Sequence, residues 1–579
     1  MSQFAKFIIN TSAGTPSGGL VGSVGLGDMK VRARRLQAAL WTDMNSTERR
    51  GIPSIAAAGL FRADNNHSTP ARIEKFRMIT TLNIISFFAD LNGFFSAERL
   101  NSWFAYDAAS PLLFNSGLFL GLFLVFYFVY ICTVRHVNFR TVYVLLFSFF
   151  FYYKAGGMYF ILLAVCSFIN YVLSEALHNA HNASKRKTFL TLLVITNLGI
   201  LVYYKYTNFI IGNLNAAFHG DISFRSIILP VGISFYVFQA ISYAVDIYRK
   251  EIEPARGLLD FSFYLCFFPQ LVAGPIVRAK EFLPQMYREL KPSKEDIGMA
   301  LFLIMAGLVK KAVISDYISL NFVDRIFDAP GSYTPVENLL ASYGYAIQIY
   351  CDFSGYSDMA IGLALLMGFK LPVNFRTPYK SSSVTEFWRR WHISLSSWLR
   401  DYLYISLGGN RRGKIRTYVN LFLTMLIGGL WHGAAWKFVA WGGLHGAALV
   451  VERLFRQYIR RSVFTRIIGV LLTFHFVSAC WIFFRAKDFD TAMLLLGNIG
   501  HVGFHAEQLF TVISAYHNVM VMLMAGFVMH FLPDRFVRWL QSCFCAMPVA
   551  AKALTVGLIF WLVYATASSG VQPFIYFQF

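Results

Sequence analysis

Long apolar runs punctuated by short polar loops dominate this chain. The strong runs lie near residues 114–133, 141–153, 157–175, 188–204, 297–315, 417–430, 434–452, 466–485, 518–533 and 554–568. Many approach the ~20 apolar residues an α-helix needs to cross a bilayer. Weaker runs near 227–245, 258–273 and 338–368 are short, polar in part, or interrupted by Gly and Pro. Such segments suit re-entrant or half-spanning elements, whose backbone must be satisfied by protein or water. The pattern predicts an all-α polytopic membrane protein of about 10–12 transmembrane helices, with re-entrant and interfacial helices in addition. No internal repeat of the transporter type is evident.

Composition agrees with lipid as the solvent. The 579 residues are 56% hydrophobic and 17% aromatic, and only 14% are charged, against about 25% charged in soluble domains. The net charge of +21 would suit a nucleic-acid partner, but its distribution argues against one. Basic clusters at Arg135–Arg140, Lys185–Lys187, Arg278–Arg288, Arg411–Arg416 and Arg453–Arg466 fall between apolar runs, as they do in cytoplasmic loops of membrane proteins. The Arg411–Arg416 loop is assigned to the cytoplasmic side on that rule. The seven cysteines form no CxxC pair and no disulfide framework, and no metal site is expected.

Residues 1–77 read differently, as a Gly/Ser-rich, basic tail without a secretory signal. Met78 would open a more ordinary membrane protein, so gene-start choice is a second explanation of this stretch. Residues 78–111 form an amphipathic lead-in, and the membrane domain occupies 112–579.

Three polar islands carry candidate chemistry. The first runs from Thr385 to Asp401 and contains Trp388, Arg389, Arg390, Trp391 and His392. Ser383 with Glu386 fits a capping box and predicts a helix start. On one continuous helix Trp391, Leu395 and Trp398 would share a face, with His392 and Ser396 on another. The arginines suit phosphate or carboxylate, yet an interfacial helix with an aromatic belt explains the same composition. The second island is Gly428-Gly-Leu-Trp-His432-Gly, with Trp431 beside the histidine. An ionisable group between apolar spans points to function, but a satisfied core histidine fits equally well. His445 and His475 read as packing residues. The third island holds Asp352, Ser354, Tyr356 and Asp358. Its carboxylates could bind a sugar or a cation, or hold a histidine tautomer; their i, i+6 spacing is too wide for a tight pair.

Read together, these strings resemble the membrane-bound O-acyltransferase family, and most closely its alginate O-acetylation branch. The resemblance covers most of residues 112–579. It rests on Leu229–Tyr236, Phe267–Arg278, Asp352–Asp358, Trp388–Ser394, Gly429–Gly433, Trp481–Ala486 and Phe574–Phe579, all in order. Ser406 departs from the pattern, where Pro is expected. The resemblance implies a helical fold around a central funnel, with His432 at its heart and His392 as a second histidine. It also implies acetyl-CoA as acyl donor and no bound cofactor. The acceptor would be an exported polysaccharide or a periplasmic acetyltransferase partner, and the protein would sit in the cell's inner or plasma membrane. Neutral imidazole, with a pKa near 6.5, suits removal of a sugar hydroxyl proton. Asp352, Ser354, Tyr356, Asp358, Trp388, Arg389, Arg390, Trp391 and Trp431 are expected along the donor or substrate path, with Lys414 as a further phosphate contact. A transporter of an acyl group or polar solute, and a sister transferase acting on teichoic acid or lipid, are the alternatives.

Overall fold

The computed structural model describes residues 97–566, apart from 109, 459–461, 502 and 504–505. The tail 1–77, most of the lead-in and the terminal Phe574–Phe579 string lie outside the described residues. The chain divides into two units, 1–103 and 104–579, and the second holds every site discussed below.

Among the described residues the secondary structure is helical. The helices that matter here are α1 (Gly117–Thr133), α2 (Val137–Gly156), α3 (Tyr159–Asn179), α4 (Ala183–Leu201), α5 (Thr207–Phe218), α6 (Ile233–Tyr248) and α7 (Leu258–Cys266). They are followed by α8 (Lys294–Leu308), the long α9 (Pro335–Leu366), the short α10 (Val384–Arg390) and α11 (Ile393–Trp398), and then α12 (Gly413–His432), α13 (Trp436–Phe455) and α14 (Val463–Arg485). A π-helical turn, Val202–Tyr206, joins α4 to α5. Among the described residues six helices are long and apolar enough to cross a membrane, or seven if one bent pair counts as a span, against the about ten to twelve expected for the chain. The difference has a physical cause. Helices such as α9 lie inside the bundle, where protein replaces lipid as solvent. They can therefore carry groups such as Asp352 and Asn338, both buried, which lower their hydropathy.

The α12–α13 hairpin sets the geometry of the site. A Cβ on Gly429 would meet the Phe438 carbonyl oxygen at 2.3 Å and Gly442 Cα at 2.9 Å. A Cβ on Gly446 would touch Phe422. Glycine is required at this seam because the two backbones nearly touch. These contacts run in opposite chain directions, so the helices are antiparallel. Gly413 and Phe455 lie at one end, and His432 and Trp436 at the other. The basic clusters around Arg411–Arg416 and Arg453–Arg456 therefore share an end, and His432 is roughly 30 Å away along the 20-residue helix at 1.5 Å per residue.

Candidate active site

His432 ends α12, where the chain turns extended at Gly433. It is 4% exposed. The rings of Trp431, Trp441 and Phe484 surround it, with centroids 5.0, 5.0 and 5.3 Å from the imidazole. On one side it lines a cavity of ≈ 90 Å³ together with Lys205, Phe235, Trp431 and the Leu229–Ser234 stretch. A helix C-terminus leaves its last carbonyls without intrahelical partners. Here Lys205 Nζ donates to the carbonyls of Trp431 and His432 at 2.7 and 2.8 Å. The Tyr206 hydroxyl donates to the Leu430 carbonyl at 2.8 Å.

His392 is fully buried, and its backbone is left-handed, with φ 43. This corrects the expected single helix across 383–398. A helix does start at Val384, with Ser383 as its N-cap, but it ends at Arg390, and α11 begins anew at Ile393. Glu386 N–H donates to Ser383 Oγ, while the Glu386 carboxylate turns to Ser382 and Arg390 instead of closing the box. Tertiary bonds from the 374–376 segment impose the break. Arg376 N–H donates to the Arg390 carbonyl and Ile393 N–H to the Asn374 carbonyl, each at 2.9 Å. A non-glycine residue held in this conformation costs of order 1–3 kcal/mol and is typical of functional sites. The interfacial-belt reading fails as well, because Trp388, Trp391, His392, Leu395 and Trp398 are all buried.

Asn374 decides the state of His392. Its Oδ1 accepts from Ser394 N–H at 3.2 Å and Ser394 Oγ at 2.9 Å, and lies 3.1 Å from His392 Nδ1. Its Nδ2 donates to Ser357 Oγ at 3.3 Å. Ile276 N–H donates in turn to Ser394 Oγ at 3.0 Å. An amide oxygen can only accept, so Nδ1 carries the imidazole hydrogen and Nε2 holds the lone pair. No hydrogen-bond partner for Nε2 is present among the described residues. Residues from the Asp352–Asp358 and Trp388–Ser394 strings thus meet at Asn374, and Ile276 of the Phe267–Arg278 string joins them through Ser394. Sequence reasoning missed this residue, since a lone Asn in an irregular segment has no spacing that marks it.

A second and larger cavity, of ≈ 1570 Å³, opens at the basic end. Arg376, Arg389, Arg390, Arg456, Arg466 and Arg538 are among its lining, with fewer acids, chiefly Asp358, Glu386, Glu452 and Asp534. Arg390 is committed to Glu386 at 2.7 Å, whereas Arg389 is exposed. Lys414, exposed at the start of α12, is not among the residues that line this cavity. The larger cavity includes Phe375 in its wall and the smaller includes Phe235. Both rings lie 6.3 Å from the His392 ring at shallow angles. His392 therefore packs against a wall residue of each cavity, and Trp431 lies 6.5 Å away on the path to His432.

The remaining expected site residues separate into two groups. Trp388 Nε1 donates to His445 Nδ1 at 3.3 Å, and Trp391 packs on Phe375 at 5.1 Å and Trp481 at 4.9 Å. These belong to the aromatic wall beside the histidines. The third island divides: Asp358 lines the larger cavity, whereas Asp352, Ser354 and Tyr356 are not among the residues that line either cavity. Lys311 pairs with Asp352 at 2.5 Å and Asp316 at 2.8 Å, and Lys310 pairs with Asp358 at 2.6 Å. The Asp352 carboxylate is paired with Lys311, and it is the Asn374 amide oxygen that lies within hydrogen-bond distance of His392 Nδ1. Ser354 is buried on α9, and no histidine hydrogen-bonds to it among the described residues. Tyr356 stacks on Phe114 at 4.5 Å. No group of three His, Cys, Asp or Glu side chains that could hold a metal is found among the described residues.

Comparison with known proteins places this architecture. Residues 145–487 match the model of the MBOAT family, membrane-bound O-acyltransferases. The chain belongs to that family. It is therefore a multi-pass membrane acyltransferase. Among its relatives, a peptidoglycan O-acetyltransferase of Helicobacter pylori is 34% identical, covering 81% of this chain and 98% of the relative. A probable alginate O-acetylase of Pseudomonas putida is 37% identical, covering 81% and 100%. A teichoic acid D-alanyltransferase of Bacillus subtilis is 31% identical over 46% of this chain and 71% of the relative. The similarity to the alginate O-acetylation branch stated above stands on these matches.

Proposed function

We propose that this O-acyltransferase acetylates an exported polysaccharide, directly or through a periplasmic acetyltransferase partner, with acetyl-CoA as donor and His432 as general base. The observation that carries this reading is that His392 packs against a wall residue of each cavity, Phe375 of the larger and Phe235 of the smaller, while His432 lines the smaller one. By the positive-inside rule the basic end faces the cytoplasm. The larger, arginine-lined cavity would then admit a phosphate-bearing donor from that side of the inner membrane. Arg389 is the cation best placed to meet it. The smaller cavity, at the far end of α12, would admit the acceptor hydroxyl.

In the proposed step the acceptor oxygen attacks the thioester carbonyl as His432 takes its proton. The C–O ester bond forms, the C–S bond breaks, and the proton passes to the departing thiolate. His392 Nε2, with its lone pair available, would accept a hydrogen bond or relay a proton. General-base catalysis of this kind supplies typically 10²–10⁴-fold. A transporter is disfavoured because the relatives that align over most of this chain are named as an O-acetyltransferase and an O-acetylase. Coverage favours acetyl transfer over D-alanyl transfer, since the acetylating relatives align over far more of this chain.

The test uses a deletion strain complemented with His432→Ala or His432→Gln at matched protein level. The expected outcome is loss of polymer acetylation by on the order of 10²-fold in both, because glutamine cannot accept and return a proton. Acetylation above about a tenth of wild type in either variant removes His432 from the role of base.

A further inference from the structure

We propose that Lys205, with Tyr206, forms a clamp that positions His432 for catalysis, an inference that rests on the role given to His432 above. The two side chains come from one unusual element. The π-helical turn Val202–Tyr206 interrupts an otherwise continuous α4–α5 rod. A π-turn widens the helix and re-aims its side chains, and such turns are frequent at functional sites. Here it directs two consecutive residues at three consecutive carbonyls, those of Leu430, Trp431 and His432.

The carbonyls concerned are the last of α12. They form the negative end of its dipole and favour a cation. Without the clamp they would face a cavity lined largely by apolar groups, and the terminal turn would be free to fray. His432 would fray with it, because Gly433 is already extended and provides no further helical support. Lys205 Nζ also sits 5.9 Å from the Trp431 ring centroid, so one ammonium group restrains both the backbone of the turn and the ring next to the imidazole. Among the described residues Lys205 is the sole Lys or Arg lining the small cavity. Its stem fills space there, but its hydrogen bonds all go to the turn that carries His432. Lys205 is a positioning residue in this account. The loss expected on removing it is that of a misplaced base, for which a displacement of about 1 Å is worth around 10²-fold.

The experiment uses the full-length, detergent-solubilised protein, with labelled acetyl-CoA consumption as the rate and thermal unfolding measured in parallel. Lys205→Met keeps the length of the stem and removes the donors. It is expected to lower kcat about 10- to 100-fold, while KM for acetyl-CoA stays within about twofold and the unfolding midpoint is nearly unchanged. Lys205→Arg, whose fork can span two carbonyls, is expected to recover much of the rate. Where Lys205→Met does not fold, Tyr206→Phe carries the same test with a smaller expected loss. A kcat within about twofold of wild type, a rate loss that only tracks lost folded protein, or an equal loss in Lys205→Met and Lys205→Arg overturns the clamp. An active His432→Ala would instead overturn the role of His432, so the two failures are distinguishable.

Discussion

Replacing Asn374 by Leu tests whether the state of His392 is set from outside its own string. The substitution keeps the volume of the side chain and removes one acceptor that serves three donors: His392 Nδ1–H, Ser394 N–H and Ser394 Oγ–H. The Ser394 hydroxyl can rotate to another acceptor, but the other two hydrogens are buried. Each unsatisfied buried donor costs about 1–3 kcal/mol, so the loss is roughly 2–6 kcal/mol before relaxation. His392 has a cheap escape, which is to move its proton to Nε2. That would relieve part of the strain and turn the Nε2 lone pair into a donor. Asn374→Leu should therefore lose acetyl transfer by more than its loss of folded protein explains. Asn374→Asp retains the acceptor for Nδ1, so it should keep the lone pair on Nε2 and more of the activity than the Leu variant, at some cost in stability from a buried carboxylate. The assay is polymer acetyl content together with a thermal unfolding midpoint for each variant at matched expression. Wild-type acetylation per folded molecule in Asn374→Leu would refute the reasoning, as would an Asp variant no better than the Leu variant.

Other outcomes follow from the same geometry. Arg389→Ala should raise KM for acetyl-CoA roughly tenfold with little change in kcat, since one charge-assisted contact to a phosphate is of that order; steady-state kinetics at two salt concentrations would show it, and an unchanged KM would exclude this arginine from the donor site. Gly429→Ala should strip folded protein from the membrane, because its Cβ would lie 2.3 Å from the Phe438 carbonyl oxygen and 2.9 Å from Gly442 Cα; normal yield and unfolding midpoint would mean that the hairpin is not closely packed. A cysteine at exposed Arg411 should react with impermeant thiol reagents in inside-out vesicles and not from outside intact spheroplasts, relative to the parent protein. Gly413 is a poor choice for that probe, because its φ of 85 is left-handed and a side chain there is strained.

Much of this molecule was legible in the residues alone. Within the described residues the ten strong apolar runs all fall on helices, since lipid or a packed bundle leaves the backbone little alternative to internal hydrogen bonding. The Trp-His-Gly string marked His432 only as a candidate: an ionisable group between apolar spans points to function, but a satisfied core histidine fitted the residues equally well, and the role of base came with the family resemblance. The helix start at Val384 was readable from Ser383, because capping is a local interaction between neighbours in sequence.

What the sequence left open concerns partners far apart in the chain. Nothing near His392 reveals that the helix must break there, because the bonds that break it come from Asn374 and Arg376. Asp352 looked able to orient a histidine, yet its carboxylate is taken by Lys311, while an inconspicuous asparagine does the orienting. Lys205 gave no sign of its role at all; it is 227 positions from the carbonyl of His432 that it holds. Periodicity and capping are local rules that the chain writes into itself. Which buried donor meets which buried acceptor is settled only when the helices pack, because each group takes the partner that the bundle brings within about 3 Å.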